Sequence, residues 1–382
     1  MRFILTLGVA GLALSPPSQA AELELKAPGI DDTILVSLPE NHDPAKSWPA
    51  VFNYHGFNGR PNTKSTREHT GTSDWIVVGM GYTQPGKYQL QEEDIAAELK
   101  AFRHVRDELA RSQGLDSKRV YVSGYSKGGW MSDALLQAEP SLRGGAILMG
   151  GHIPTPLKNP APLSKDSHIF IGIGRKDPNY IPSLKALVHY RGLGLPTSFE
   201  AWPELGHDFP PEGSTGLREW FTLQNGGKPD DRALEMEFKK LLTLPPAEAW
   251  LALADFKERP FCNTPESPWP ETISTAQTKL EEDPPAARES KIHRSHRQLL
   301  GREVMMRTLD DLRQIDAGYM KLAATSSDSP QNATIQLDHR RILAVLEQAR
   351  AVPVPTPQPK PSPTRPKPPN DKLDFPTNPL IR

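Results

Sequence analysis

The sequence predicts an α/β fold: a mostly parallel sheet flanked by helices, then an α-helical C-terminal extension and a disordered proline-rich tail. Three observations lead there. Short apolar, β-branched runs alternate with amphipathic helix-length segments through roughly the first 225 residues, and such alternation implies crossover connections over a covered parallel sheet. One run, Arg119-Val-Tyr-Val-Ser123, enters Gly124-Tyr125-Ser126-Lys127-Gly128, and a helix-compatible segment leaves it. From about Lys228 the chain turns polar and helical, with proline-rich breaks.

Residues 1–20 read as an export leader: Arg2, an apolar stretch from Phe3 to Leu14, and the small-residue site Ser18-Gln19-Ala20. That run is too short to cross a bilayer comfortably, so a periplasmic or secreted protein without a transmembrane segment is expected. Strands are predicted at Thr33–Leu38, Ala50–Tyr54, Trp75–Gly79, Arg119–Ser123, Gly145–Met149, His168–Ile173 and Ser198–Trp202. Glu92 to Ser112 carries Ile95, Leu99, Phe102, Val105 and Leu109 at helical spacing. Further helices fit Gly129–Ala138, Ile181–Arg191 and Leu217–Leu223. The predicted division is 1–20 leader, 21–227 sheet domain, 228–350 helical extension and 351–382 tail.

In the extension, helices are predicted at Arg232–Leu242, Pro246–Lys257, Arg288–Ala324 and Leu337–Arg350. The stripe Leu299, Val304, Leu309, Leu312, Ile315, Tyr319 and Leu322 suits a helical hairpin with Ile335–Ala349 as partner. His293 and His296 share one helix face, but two histidines without a third ligand read as a solvated face, and no metal or other cofactor is expected. Prolines alternate with Lys, Thr, Ser and Gln from Pro353 onward, which gives an extended segment without a core. It reads as a tail without a partner, or as a weak contact to an anionic cell-envelope surface.

The chain has 45 basic and 46 acidic residues. That balance gives no case for nucleic acid, which favours a concentrated basic face. Cys262 is the only cysteine, so no intrachain disulfide forms and the thiol reads as structural.

Gly124-x-Ser126-x-Gly128 between strand and helix reads as a nucleophile elbow. Two partners follow in the chain. His207, on a loop just after a strand-like stretch, is the candidate base. Asp177, in Gly174-Arg175-Lys176-Asp177-Pro178 at a strand's carboxyl end, is the candidate orienting carboxylate. Asp166 and Asp208 compete for that role, though Asp208 adjoins His207 and reaches Nδ1 awkwardly. Lys127 opens the helix after the elbow, and its side chain is expected to face solvent.

These residues resemble the α/β-hydrolase superfamily, specifically the phospholipase/carboxylesterase, dienelactone hydrolase and polyhydroxybutyrate depolymerase-like serine esterases. The order Ser126, Asp177, His207 is the order of that superfamily. The resemblance covers about residues 30–225. It implies an α/β-hydrolase fold and a Ser-Asp-His triad cleaving small-molecule or polymer esters. It also implies that Tyr54-His55-Gly56-Phe57 is the oxyanion loop, with the backbone N–H groups of Phe57 and Lys127 as donors. His55 itself is expected to bond neighbouring backbone. Phe57, Tyr82, Tyr88, Trp130 and Trp202 are candidate pocket aromatics by loop position. Two rival readings are a prolyl-oligopeptidase-type serine peptidase and a noncatalytic envelope-binding protein.

Overall fold

The computed structural model describes residues 21–87, 90–152, 162–264 and 266–351. The expected leader, Tyr88 and the tail from Val352 lie outside the described residues. The eight strands are β1 Glu22–Ala27, β2 Ile30–Ser37, β3 Trp48–Tyr54, β4 Ile76–Met80, β5 Leu115–Tyr125, β6 Gly144–Leu148, β7 His168–Gly174 and β8 Thr197–Trp202. They form one sheet in the order β1-β2-β4-β3-β5-β6-β7-β8. β2 is antiparallel to β1 and β4, and from β4 to β8 every pairing is parallel. This is the α/β-hydrolase architecture.

β1 is an addition to the predicted set. Its Glu-Leu-Glu-Leu alternation leaves Glu22, Glu24 and Lys26 exposed, and charges on an edge strand discourage pairing with other chains. Gly29 makes the tight turn to β2 at φ 79°, a conformation only glycine adopts without strain.

The central strands are buried on both faces, which explains their unbroken apolar runs. Phe52, Val78, Val122 and Ile147 meet α2 (Glu92–Ser112), α3 (Lys127–Ala138) and α4 (Tyr180–Gly192) in one cluster. Their neighbours Val51, Val77, Tyr121 and Ala146 face the other way, onto Leu217, Trp220 and Phe221 of α5 (Thr215–Gln224), with α1 (Lys64–Thr70) beside α5. Burying each large apolar side chain stabilises by about 1.5–3 kcal/mol.

Parallel pairing sets Tyr54 opposite Gly124, so the loops after β3 and β5 emerge side by side. Those after β7 and β8 leave the same edge, where ligands gather in open α/β sheets.

The extension contains α6 Asp231–Leu241, α7 Pro246–Lys257, α8 Trp269–Leu280, α9 Pro284–Met305, α10 Leu309–Thr325 and α11 Asn332–Ala351. Two predictions need correction. Arg288–Ala324 is not one helix: Thr308 caps a new one, its Oγ1 accepting from Asp311 N at 3.1 Å while Asp311 Oδ2 accepts from Thr308 N at 2.9 Å. This is a capping box. α8 is a helix that the prediction lacks: Trp269-Pro270 starts it, because proline is tolerated in the first turn, where its missing N–H has no partner to lose.

α9, α10 and α11 share a core around Ile292, Ile315, Tyr319, Leu322 and Ile342. Leu300 and Val304 of α9 point elsewhere and join the main cluster of the sheet domain. The short 3-10 turn Pro260–Asn263 runs beside β8, with Asn263 Nδ2 donating to Ser198 Oγ at 3.2 Å. It covers the sheet's last edge. Among the described residues no helix is long and apolar enough to cross a membrane.

Candidate active site

Ser126 sits at the junction of β5 and α3 with φ 56° and ψ −116°, a region that costs a non-glycine residue about 1–3 kcal/mol. Neighbouring backbone enforces it: Ser126 N donates to Leu148 O at 2.9 Å, and Trp130 N donates to Ser126 O at 3.1 Å. The flanking glycines are sterically required. A Cβ on Gly128 would lie 1.9 Å from Tyr54 O, and one on Gly124 2.2 Å from Gly128 O.

His207 Nε2 lies 2.8 Å from Ser126 Oγ, and His207 Nδ1 lies 2.7 Å from Asp177 Oδ2. A carboxylate only accepts, so Nδ1–H donates to Asp177. Nε2 of the neutral ring is then left to accept the Ser126 hydroxyl proton. Asp177 is buried, and its Oδ1 accepts from Asn179 N at 2.7 Å. Asn179 is itself tied to Met149 O at 2.9 Å. The His207 imidazole is pushed above its ordinary value, first by the hydrogen bond to Asp177 against an opposing effect of burial, and further by the Asp177 and Asp208 charges. Tyr125 Oη–H donates to His207 O at 2.7 Å and so steadies the loop. The competing acids do not reach the ring's Nδ1: Asp166 pairs with Arg143 at the surface, and exposed Asp208 acts only through its charge.

The His55-Gly56-Phe57 loop packs directly on the elbow. A Cβ built on Gly56 would lie 3.6 Å from Ser126 Cβ, and Gly59 N donates to Gly56 O at 3.0 Å, closing a turn over Phe57. His55 Nδ1–H donates to Gly56 O at 2.6 Å, the backbone role expected of it. Lys127 is the first residue of α3, and its amide is one of those that a helix start leaves without an intrahelical acceptor, at the positive end of the dipole.

The Lys127 side chain overturns its prediction. It is 2% exposed, not solvent-facing. Its Nζ donates to Gln84 O at 3.0 Å and Pro85 O at 2.8 Å, and lies 4.0 Å from the Tyr82 ring centroid and 5.5 Å from that of Phe57. Burial pulls the ammonium down to about 8, against the opposing charge of Glu98. Glu98 is buried too, accepting from Thr83 N and Oγ1 at 3.0 and 2.9 Å. A lysine beside a nucleophile gives no sequence signal of this, because its carbonyl acceptors and aromatic walls come from distant loops.

Ser126 and His207 open onto a cavity of about 690 Å³ with walls that include Phe57, His69, Phe209, Leu217 and Phe221. Of the five candidate aromatics, Phe57 lines it. Tyr82 and Trp202 are buried, Trp202 packing on Phe209 with centroids 5.0 Å apart, and half-buried Trp130 lies on α3. Tyr88 lies outside the described residues.

His296 and His293 are not a solvated face. His296 is buried against Asp338 at 2.7 Å, and His293 Nδ1 is 3.0 Å from Gln331 Oε1. Among the described residues no cluster of three His, Cys, Asp or Glu could hold a metal. Cys262 is buried, its thiol pushed up to about 12 first by burial, as suits a packing role.

Neither a protein-family model nor a curated protein sequence matches the chain. Among solved structures, the chain is similar to a carboxylesterase from Mesorhizobium loti, with 20% identity over 53% of this chain and 98% of that one, at a TM-score of 0.42. It is also similar to a fluorophosphonate-binding serine hydrolase of Staphylococcus aureus, with 14% identity over 55% and 99% of the two chains, TM-score 0.41. A carboxylesterase from Bacillus cereus is a third, with 18% identity over 54% and 94% of the two chains, TM-score 0.41.

Proposed function

We propose that this chain is an exported serine hydrolase that cleaves carboxylic esters through an acyl-enzyme on Ser126. One observation carries the reading: the unbroken hydrogen-bond chain from Ser126 Oγ through His207 to buried Asp177, at 2.8 and 2.7 Å, at the mouth of a cavity. Ser126 Oγ attacks the ester carbonyl while His207 Nε2 takes its proton. The carbonyl π electrons move onto oxygen, which the Phe57 and Lys127 amides hold. Collapse of this intermediate expels the alcohol, protonated by His207, and leaves the acyl group on Ser126. Water then gives its proton to His207 as it attacks the acyl carbon. The second collapse releases the acid and returns the proton to Ser126 Oγ. Asp177 keeps the proton on Nδ1 throughout and stabilises the imidazolium. None of these steps calls on a cofactor. The aromatic and aliphatic cavity walls favour an ester with an apolar acyl or alcohol group, and the leader-like residues 1–20 support export.

A fluorophosphonate probe is expected to label the protein once per chain, on the peptide containing Ser126. Labelling elsewhere, or none, defeats the reading. Hydrolysis of p-nitrophenyl acetate and butyrate, set against dipeptide anilides, separates an esterase from a peptidase; anilide turnover alone would favour the latter.

The pH profile has a defined shape. His207 serves as base only when neutral and is held above 6.5, so kcat/KM falls as pH drops through a midpoint above that value. The Lys127 ammonium, held at about 8 beside the loop that carries Phe57, loses its charge on the alkaline side, and kcat/KM falls again there. In Lys127→Met the alkaline limb is expected to vanish while the acid limb stays. An unchanged alkaline limb removes Lys127 from the account.

A further inference from the structure

On the reading that Ser126, His207 and Asp177 form the triad, we propose that the helical extension is a positioning element for the triad acid: Asp338 and Arg341 of α11 clamp the β7–α4 turn that carries Asp177.

The turn is short, and α11 grips both its shoulders. Arg175 stands two residues before Asp177. Its Nη2 donates to Asp338 Oδ2 at 2.5 Å across 163 residues of sequence, while Nη1 donates to Tyr180 Oη. Tyr180, buried at the start of α4, stands three residues after Asp177, and its N donates to Asp177 O at 3.0 Å. The Arg175 and Arg341 guanidinium carbons lie 4.6 and 5.4 Å from the Tyr180 ring centroid.

The clamp is anchored deep in the extension. Asp338 is fully buried and also bonds His296 of α9 and Arg341, each at 2.7 Å. Arg341 Nη2 donates to Glu303 Oε2 of α9 at 2.8 Å, and Glu303 Oε1 accepts from Tyr319 of α10 at 2.6 Å. All three helices of the bundle are thereby tied to one turn. Burial pushes the Asp338 carboxyl up, but the His296 hydrogen bond and the Arg175 and Arg341 charges outweigh this and hold it below the usual carboxylate range. It stays ionised.

Stability alone does not call for such a network, since packed apolar residues of similar volume serve as well. What a buried fork offers is a fixed position. The bonds through Asn179 set the rotation of the Asp177 carboxylate, and the clamp sets where the whole turn stands relative to His207. A displacement near 1 Å at such a site costs on the order of 10²-fold in rate.

The test is Asp338→Asn in the full chain, compared with Ile315→Val, which loosens the same bundle away from the clamp. For Asp338→Asn, kcat for p-nitrophenyl acetate is expected to fall by about 10–100-fold with KM little changed. The acid-limb midpoint of kcat is expected to move to lower pH, because the Asp177 contact is what raises His207. Ile315→Val is expected to lower Tm by a few degrees and move neither. An Asp338→Asn protein that loses Tm but keeps kcat and the pH midpoint overturns the proposal.

If Asp338→Asn does not fold, Arg175→Met/Asp338→Leu removes the buried pair as a unit and is read the same way, wild-type kcat being the overturning result. The clamp is also visible without turnover. The His207 Nδ1 proton held against Asp177 at 2.7 Å is expected to give a far-downfield proton resonance in the wild type. This signal is expected to be lost or shifted upfield in the folded variant, and an unchanged one overturns the clamp. Failure of Ser126 to take the fluorophosphonate refutes the hydrolase reading while leaving that resonance to decide the clamp.

Discussion

Ser126→Ala is expected to lower kcat for p-nitrophenyl butyrate by about 10⁴–10⁶-fold with KM nearly unchanged. The alanine leaves the cavity, the amides of Phe57 and Lys127 and the His207–Asp177 pair in place, so substrate still binds. What disappears is the atom that forms the acyl bond. Residual turnover is then direct attack by water, helped only by the amide donors and by orientation, which together retain about 10³–10⁴ over solution. His207→Ala is expected to cost nearly as much, because a hydroxyl without its base at 2.8 Å is a poor nucleophile at neutral pH. The double variant is expected to be no slower than either single one, since the residues act as one unit. Steady-state rates of the three variants check this. Multiplicative losses in the double variant would mean that Ser126 and His207 work independently, and the proposed mechanism would fail. The alanine still occupies φ 56°, so Tm should move little and the lost rate cannot be ascribed to unfolding.

The elbow and its partners were legible because their signals are local. Gly124 and Gly128 are required by backbone atoms within van der Waals distance. Ser126 and Asp177 each follow a strand that its β-branched residues announce, and His207 follows a short strand, Thr197–Trp202, that carries only one such residue. The strand list erred where burial is incomplete: β1 is half-exposed and opens the described chain, and β5 extends back to Leu115 through a polar stretch, Asp116-Ser-Lys-Arg119, that stays largely unburied and interrupts the pairing with β3 between Leu115 and Val120. The α9–α10 break was readable from Thr308-x-x-Asp311, but the apolar stripe running through it argued for one helix. Lys127 and Arg175 were opaque for another reason. Each is a charged residue at the boundary of an element, Lys127 opening α3 and Arg175 following β7, and exposure is the ordinary outcome for such residues. Their partners, Gln84 and Pro85 in one case and Asp338 in the other, are supplied by tertiary structure that no local pattern encodes.

Ending the chain at Gly227 is expected to leave a protein without a cooperative fold, although residues 21–227 contain all eight strands and all three candidate triad residues. Arg175 would lose Asp338 but regain water, so the broken ion pair itself costs little. The apolar loss decides the outcome. Leu300 and Val304 are 4% and 8% exposed within the main cluster. At about 1.5–3 kcal/mol each they contribute roughly 3–6 kcal/mol, against a total stability of about 5–15 kcal/mol for a typical domain. Removal of Pro260–Asn263 also uncovers β8, whose free edge then offers unpaired backbone groups to other chains. Thermal unfolding followed by near-ultraviolet circular dichroism, with binding of a hydrophobic dye, checks the expectation. The fragment should show a broad or absent transition, high dye fluorescence and aggregation on sizing. A sharp transition at the full chain's Tm, with full esterase rate, would make the extension a separate appendage and contradict both this prediction and the clamp on Asp177.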